Sequence, residues 1–366
     1  MKNVYGSNLT LTLFGESHSD MIGAVIDGIA PGIKIDYENI EQKLLQRRPN
    51  NQLSTARVEP DEYKIISGVF NGFTTGTPLA IIIPNTNTNS KDYSDLKITP
   101  RPSHADFSAE CKYHGFQDYR GGGHFSGRIT AAIVAAGAIL ESALKNIGIE
   151  IGTHISNLHG ISDRDFNVYK EDISLLNKKD FPVLDSSAEE KMQFEISSAK
   201  QVGDSVGGIL ESVIIGIPAG VGEPFFDNVE SVISHALFSI PGVKGVEFGE
   251  GFGFADLFGS EANDEFEIKN EEVVTKTNHN GGINGGITNG MPITVRVAMK
   301  PTPSIYKEQN TVNLEKMTDE KLQIKGRHDP AILHRARSVV DALLAISVSD
   351  LLITRYGTDY IAKKER

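Results

Sequence analysis

The sequence predicts an α+β protein made of two similar halves, and three observations carry that expectation. Short strands with period-two alternation are separated from helices by Gly/Pro turns. One alanine-rich segment, Arg128 to Ile147, is apolar nearly all round, which is the pattern of a helix at the centre of a fold. Two sequence blocks also recur in the same order: Gly28-Ile29-Ala30-Pro31-Gly32-Ile33 before a helix at Asn39 matches Gly216-Ile217-Pro218-Ala219-Gly220-Val221 before a helix at Asn228, and Gly68 to Leu79 matches Gly282 to Ile293. Recurrence of this kind is the mark of a duplication. The expected organisation is one domain spanning 1–366, with halves at about 1–165 and 190–366 joined by a polar connection.

In chain order, strands are expected at Leu9 to Phe14, Ala24 to Ile29, Ile65 to Phe70, Pro78 to Ile83, Ile209 to Ile217 and Pro292 to Met299. Asp36 is the expected N-cap of a helix with Ile40, Leu44 and Leu45 on one face, stopped by Pro49 just after Arg47 and Arg48. Asp329-Pro330 reads as the start of a last long helix, with the carboxylate at N-cap and proline at the first helical position.

Composition narrows the function. The 36 Lys+Arg against 48 Asp+Glu leave a net charge of −12, the wrong sign for gripping nucleic acid over a broad surface. The single cysteine, Cys111, rules out an intrachain disulfide and a thiolate zinc cage, and points to a reducing compartment, the cytoplasm. The polar residues interleaved from Leu9 to Phe14 are unlike a signal-peptide core, and no uninterrupted apolar run reaches the roughly 20 residues of a membrane helix, so neither secretion nor a membrane is expected. Histidines occur without a His-x-x-x-His or His-Glu-x-x-His pair, so no metal is expected. Arginine is unevenly spread: none lies between Arg164 and Arg296, while Arg47, Arg48, Arg57, Arg101, Arg120, Arg128, Arg327, Arg335 and Arg337 gather in short motifs. That distribution suits either surface ion pairs or a local pocket for a small polyanion.

The motifs favour the pocket. Gly15-Glu16-Ser17-His18 follows the first strand, where a side chain can face a cleft; Arg101-Pro102-Ser103-His104-Ala105-Asp106 sets an imidazole beside a guanidinium, with Asp106 available to orient it. Tyr119 to Arg128 brings three glycines to a helix start, suited to an anion, yet matches neither a Walker A loop nor the dinucleotide fingerprint. Asn278 to Gly286 offers amides and permissive backbone, Lys300-Pro301-Thr302-Pro303-Ser304 a cation and hydroxyls, and Gly326-Arg327-His328-Asp329 a carboxylate that is either a cap or a base.

Together these blocks resemble the chorismate synthase family over nearly the whole chain; the resemblance also takes in Arg47-Arg48-Pro49, Ser67 to Pro78, Gly222-Glu223-Pro224 and Lys244 to Glu247. It implies an internally duplicated β-α-β sandwich and a lyase that converts 5-enolpyruvylshikimate 3-phosphate to chorismate by 1,4-anti elimination, with reduced FMN as cofactor and no net redox change. It further implies substrate held by Arg47, Arg48, Arg57, Arg101 and Arg327; His18 protonating the departing phosphate; His104 supplying a proton to the flavin; Asp329 acting in removal of the ring hydrogen; and FMN contacted by Ser126, Gly127, Arg128, Lys300 and Ser304, with Asn278 and Gly286 nearby. A homotetramer is implied too. Since no nicotinamide-binding motif is visible, NADPH is expected to act only through an external flavin reductase.

The chain departs from the family pattern at Gln52 and Leu53, where an arginine is usual, and at His124 and Phe125, where Arg-Ser is usual; Ser19 and Ser103 replace frequent glycines. A catalytically silent relative that binds flavin or an anionic metabolite is the alternative, but His18, His104 and Asp329 are all retained, which favours the lyase.

Overall fold

The computed structural model describes residues 2–49, 59–86, 98–324 and 328–362. Two five-stranded antiparallel sheets enclose a layer of helices. The first sheet consists of β1 (Val4–Tyr5), β2 (Thr10–Gly15), β3 (Met21–Asp27), β4 (Lys64–Ser67) and, after a small hairpin of β5 (Val69–Phe70) and β6 (Phe73–Thr74), β7 (Leu79–Pro84), in the order β1-β2-β3-β7-β4. The second contains β8 (Glu150–Leu158), β9 (Ile161–Ser162), β10 (Gly208–Ile215) and β11 (Val243–Phe248). An outlying hairpin of β12 (Phe266–Lys269) and β13 (Glu272–Thr275) follows, then β14 (Ile283–Asn284) with β15 (Ile287–Thr288), and β16 (Ile293–Met299) completes the order β11-β16-β10-β8-β9.

The two sheets repeat one plan. Each small hairpin ends in a threonine that ties the turn after a neighbouring strand by the same bonds. Thr74 Oγ1 donates to Ala30 O at 2.6 Å and accepts from Ile33 N at 2.9 Å; Thr288 Oγ1 donates to Pro218 O at 2.7 Å and accepts from Val221 N at 3.0 Å. The sandwich is therefore internally duplicated at the level of individual hydrogen bonds. The boundary differs from the sequence expectation: the second sheet already begins at Glu150. The polar stretch instead holds two helices, α4 (Tyr169–Leu176) and α5 (Ser186–Gln201), inserted between β9 and β10.

Four other helices form the middle layer: α1 (Tyr37–Arg47), α3 (Thr130–Asn146), α6 (Val229–Leu237) and α8 (Leu333–Tyr356); α2 (Asp106–Tyr113) and α7 (Gly259–Ala262) lie outside it. Asp36 caps α1 as expected, its Oδ1 accepting from Asn39 N at 3.0 Å, and α1 ends at Arg47. The alanine-rich helix α3 is buried along almost its whole length and packs on β3 and β7 on one side and α8 on the other. The segment Gly127–Asn146 is long and apolar enough to cross a membrane, but its apolarity faces inward, most of its length being buried in the fold. Helix α8 begins at Leu333, with Ile332 at its N-cap position and no side-chain cap. The expected cap at Asp329 is thus corrected: the carboxylate lies short of the helix and pairs with Arg335 instead.

The α3–α8 crossing is set by Gly137. A Cβ there would lie 2.3 Å from Ala342 Cβ and 2.5 Å from Ala342 Cα, so only glycine lets the two backbones approach. Gly137→Ala should therefore destabilise the fold by about 1–3 kcal/mol through overpacking, and Ala342→Gly should restore only part, since the backbone clash remains. Urea unfolding of the single and double variants checks this; wild-type stability in Gly137→Ala would show that the crossing is loose.

Candidate functional site

The arginines at the end of α1 meet a carboxylate that no sequence motif announced. Asp61, whose side chain is wholly buried, accepts from Arg47 Nη1 at 3.2 Å, faces Arg48 Nε at 3.6 Å and bonds Arg128 through its other oxygen. Arg47 spends its remaining donors inside the protein, on Thr130 Oγ1 and on the carbonyls of Gly127 and Arg128. Arg335 donates through Nε to the Arg47 carbonyl at 2.9 Å and through Nη1 to Asp329. Four guanidiniums thus crowd around two carboxylates. Burial first, then Arg335, Arg128 and Arg48, against the opposing pull of Asp61, lower the pKa of Arg47 to about 10. Such a surplus of positive charge is what a polyanion would relieve.

Beside this array lies a cavity of about 990 Å³. Its lining combines apolar side chains, Leu11, Leu13, Ile129, Ile133 and Leu343, with Arg101, His104, Ser126, Gly127 and Lys300. Ser126 Oγ caps the helical start that runs into α3, accepting from Arg128 N at 3.2 Å. His124 and Phe125 both line the cavity; the His124 Nδ1–H donates to Gly15 O at 2.7 Å, an inward bond that anchors the glycine loop to the end of β2. A second cleft, of about 780 Å³, contains Lys43 and Glu141 and none of the expected site residues.

His104 is held at both ring nitrogens. Its Nδ1 lies 3.2 Å from Pro102 O, a carbonyl that can only accept, so Nδ1 carries the proton and Nε2 accepts from Ser304 Oγ at 2.9 Å. Lys300 Nζ donates to Ser103 O at 2.6 Å, steadying the same loop. Burial, then Arg101, lowers the His104 pKa from 6.5 to about 4. The expectation that Asp106 orients this imidazole is corrected: Asp106 takes a two-pronged grip of Arg101, at 2.8 Å from both Nε and Nη2.

His18 is 7% exposed, with Nδ1 2.9 Å from Ser17 Oγ; that hydroxyl donates to Arg120 O, so His18 Nδ1 is the donor. Gly121, on the cavity wall, presses on the ring: a Cβ there would lie 2.3 Å from His18 Cε1, and the glycine φ is +58°. The glycine loop thus serves close approach to an imidazole as well as reversal of the chain.

The placement of the remaining expected residues is mixed. Arg128 does not line the cavity; its guanidinium turns to Asp61, Asn85 Oδ1 and Pro84 O. Asn278 and Gly286 stay away from the cavity and serve the second half, Asn278 bonding Pro292 O and Gly282 N, and the Gly286 carbonyl accepting from Val229 N. Arg337, on α8, is buried and donates to the carbonyls of Leu176 and Lys179. Arg57, Gln52, Leu53 and Arg327 lie outside the described residues.

A duplicated α+β sandwich with a guanidinium array beside a half-apolar cavity defines an enzyme for a small anionic substrate. The chorismate synthase family profile matches residues 9–353. The chain is 46% identical over 350 residues to the chorismate synthase of Pyrococcus abyssi, covering 96% of this chain and 97% of that protein, and 45% identical over 358 residues to that of Thermococcus gammatolerans, covering 98% and 99%. A crystal structure of chorismate synthase superposes with a TM-score of 0.76 at 29% identity, covering 97% of this chain and 95% of that one. The chain belongs to the chorismate synthase family, and its activity is that of a carbon–oxygen lyase converting 5-enolpyruvylshikimate 3-phosphate to chorismate and phosphate.

His104 supplies the test of this electrostatic picture. With its folded pKa below the free value, the imidazole is neutral above about pH 4, and its contribution lowers stability as pH falls from 6.5 toward 4, where the unfolded chain takes up the proton first. NMR titration should place its midpoint near 4 and move it upward when a bound anion offsets Arg101 and Lys300. A midpoint of 6.5 unmoved by ligand would contradict it.

Proposed function

We propose that the elimination takes place between the guanidinium array and the cavity, with reduced FMN as cofactor. The crowding of Arg47, Arg48, Arg128 and Arg335 around Asp61 and Asp329 carries this reading, because the substrate brings a phosphate and two carboxylates to a protein that is acidic elsewhere. Arg48 and Arg101, with Arg57 and Arg327, hold those anions; Arg47 is fully engaged inside the protein and shares Asp61 with Arg48.

The cavity suits FMN. Its volume falls within the range of about 300–1,000 Å³ usual for cofactor sites. Leu11, Ile129 and Ile133 offer a dry wall for a flat ring, and the helix start at Ser126 and Gly127, together with Lys300, offers donors for a phosphate. Ser304 acts through His104, whose Nε2 it fixes. When bound, the cofactor supplies the reduced ring that the reaction needs although it ends without net redox change. The chain's own residues do the rest. His18, with its Nδ1–H tied to Ser17, acts as the imidazolium, whose second proton sits on Nε2 and passes to the leaving phosphate, leaving the neutral ring beneath the glycine loop. Asp329, oriented by Arg335, takes the ring hydrogen. His104, neutral and flanked by cations, holds a proton on Nδ1 and can accept another at Nε2 once an anion arrives.

The same reading makes the enzyme a cytoplasmic homotetramer supplied by a separate flavin reductase, NADPH acting only through it. Phe225, Phe226, Phe252, Phe258 and Phe266 are each more than two-thirds exposed, aromatic side chains that an assembly would cover. Sedimentation at four chain masses is expected, and a stable monomer would remove the assembly.

Turnover assayed anaerobically with photoreduced FMN tests the site. Arg48→Ala should weaken substrate binding by about 2–5 kcal/mol and leave FMN affinity in place. Asp329→Asn should bind both ligands yet lose turnover on the order of 10²–10⁴-fold. Near wild-type turnover in the Asn variant would sink the role of Asp329 as base.

A further inference from the structure

We propose that Asp61 is a positioning residue for the reaction: its buried carboxylate sets the register of Arg48 and Arg128 and, through Arg128, of the segment that carries His18. The inference rests on the assignment of Arg48 to the substrate. Three observations support it.

The first is the geometry of the carboxylate itself. Its side chain is 0% exposed, so Asp61 cannot touch substrate, yet it serves three cations at once. One oxygen lies 3.2 Å from Arg47 Nη1 and 3.6 Å from Arg48 Nε, while the other bonds Arg128 Nη1. Neutralising a buried arginine requires one partner; sharing a single carboxylate among three fixes their mutual spacing.

The second is the backbone. Asp61 has φ +51°, a left-handed conformation uncommon for any residue but glycine. Such conformations persist where the surroundings over-determine them, and they concentrate at functional sites.

The third is where the bonds lead. Arg128 Nε donates to Asn85 Oδ1 at 2.9 Å, and Asn85 Nδ2 donates in turn to the carbonyls of Glu16 at 2.9 Å and Ser19 at 2.8 Å. Those two carbonyls bracket Ser17 and His18. A carboxylate displaced at Asp61 would therefore shift both the anion-holding arginine and the proton donor, which belong to opposite ends of the substrate's needs: charge capture and departure of phosphate.

Asp61→Asn keeps the shape and removes the charge; Asp61→Glu keeps the charge and moves it by one methylene. In the anaerobic assay with photoreduced FMN, both should raise the KM for 5-enolpyruvylshikimate 3-phosphate and lower kcat/KM on the order of 10²-fold, the cost of a misplacement near 1 Å, with Glu giving no rescue. A merely structural carboxylate predicts less folded protein by circular dichroism, an unchanged KM and rescue by Glu. A wild-type KM in whichever variant folds, or failure of both to fold, overturns the proposal. Arg48→Ala run alongside separates the two ideas. A raised KM there with wild-type KM in the Asp61 variants removes the Asp61 role alone, whereas a wild-type KM in Arg48→Ala removes the substrate assignment and the Asp61 role with it.

Discussion

One buried carboxylate under three guanidiniums ties together the region where α1, α3 and β7 meet. Taking charges out of water is expensive, and an ion cluster survives burial only when its remaining donors are also satisfied. Around Asp61 they largely are. Arg47 turns to the carbonyls of Gly127 and Arg128, and Arg128 turns to Pro84 and Asn85, so the end of α1, the start of α3 and the end of β7 are tied to one another. Arg335 extends the network to α8 by binding the Arg47 carbonyl. More positive than negative charge is left over among these groups, and relieving that imbalance is the thermodynamic basis of the proposed hold on an anionic substrate.

The duplicated fold shows how the two copies of one plan come to differ at their helix ends. Helices α1 and α6 are both capped by a side chain at their start, Asp36 and Asn228, and both follow a turn clamped by a threonine. They end differently. Helix α1 finishes at Arg47 and Arg48, in the guanidinium array, whereas α6 finishes at Leu237 and Phe238, and Phe238 lines the cavity. One copy of the plan supplies charge and the other supplies apolar wall. Between them the α3–α8 crossing, narrowed by Gly137, holds the two halves at a fixed separation.

Much of this was legible in the sequence because it rests on local rules. Period-two alternation marked β2 and β7, the Asp36 cap and Pro49 bounded α1, and the all-round apolar character of α3 located the middle layer. Strand β8 escaped notice because Thr153 and His154 interrupt its apolar pattern; in the fold both are buried and satisfied, Thr153 by Asp341 and His154 by Asp163 and Glu211. The same limitation hid the partners of the site residues. Asp106 stands two positions from His104 yet belongs to Arg101, Asp329 precedes a proline yet answers to Arg335 in the next helix, and Asp61 sits in an unremarkable Glu-Pro-Asp stretch. Motif spacing shows which residue types are available. Which carboxylate meets which guanidinium is decided by the tertiary fold.

The most direct test of the account is a crystal structure of the protein with 5-enolpyruvylshikimate 3-phosphate and FMN bound. The account predicts the flavin in the cavity beside His104 and Lys300, a substrate anion bonded to Arg48, and Asp61 still holding Arg47 and Arg128. Substrate seated instead in the cleft beside Lys43 and Glu141, with Arg48 making no contact to it, would contradict the account.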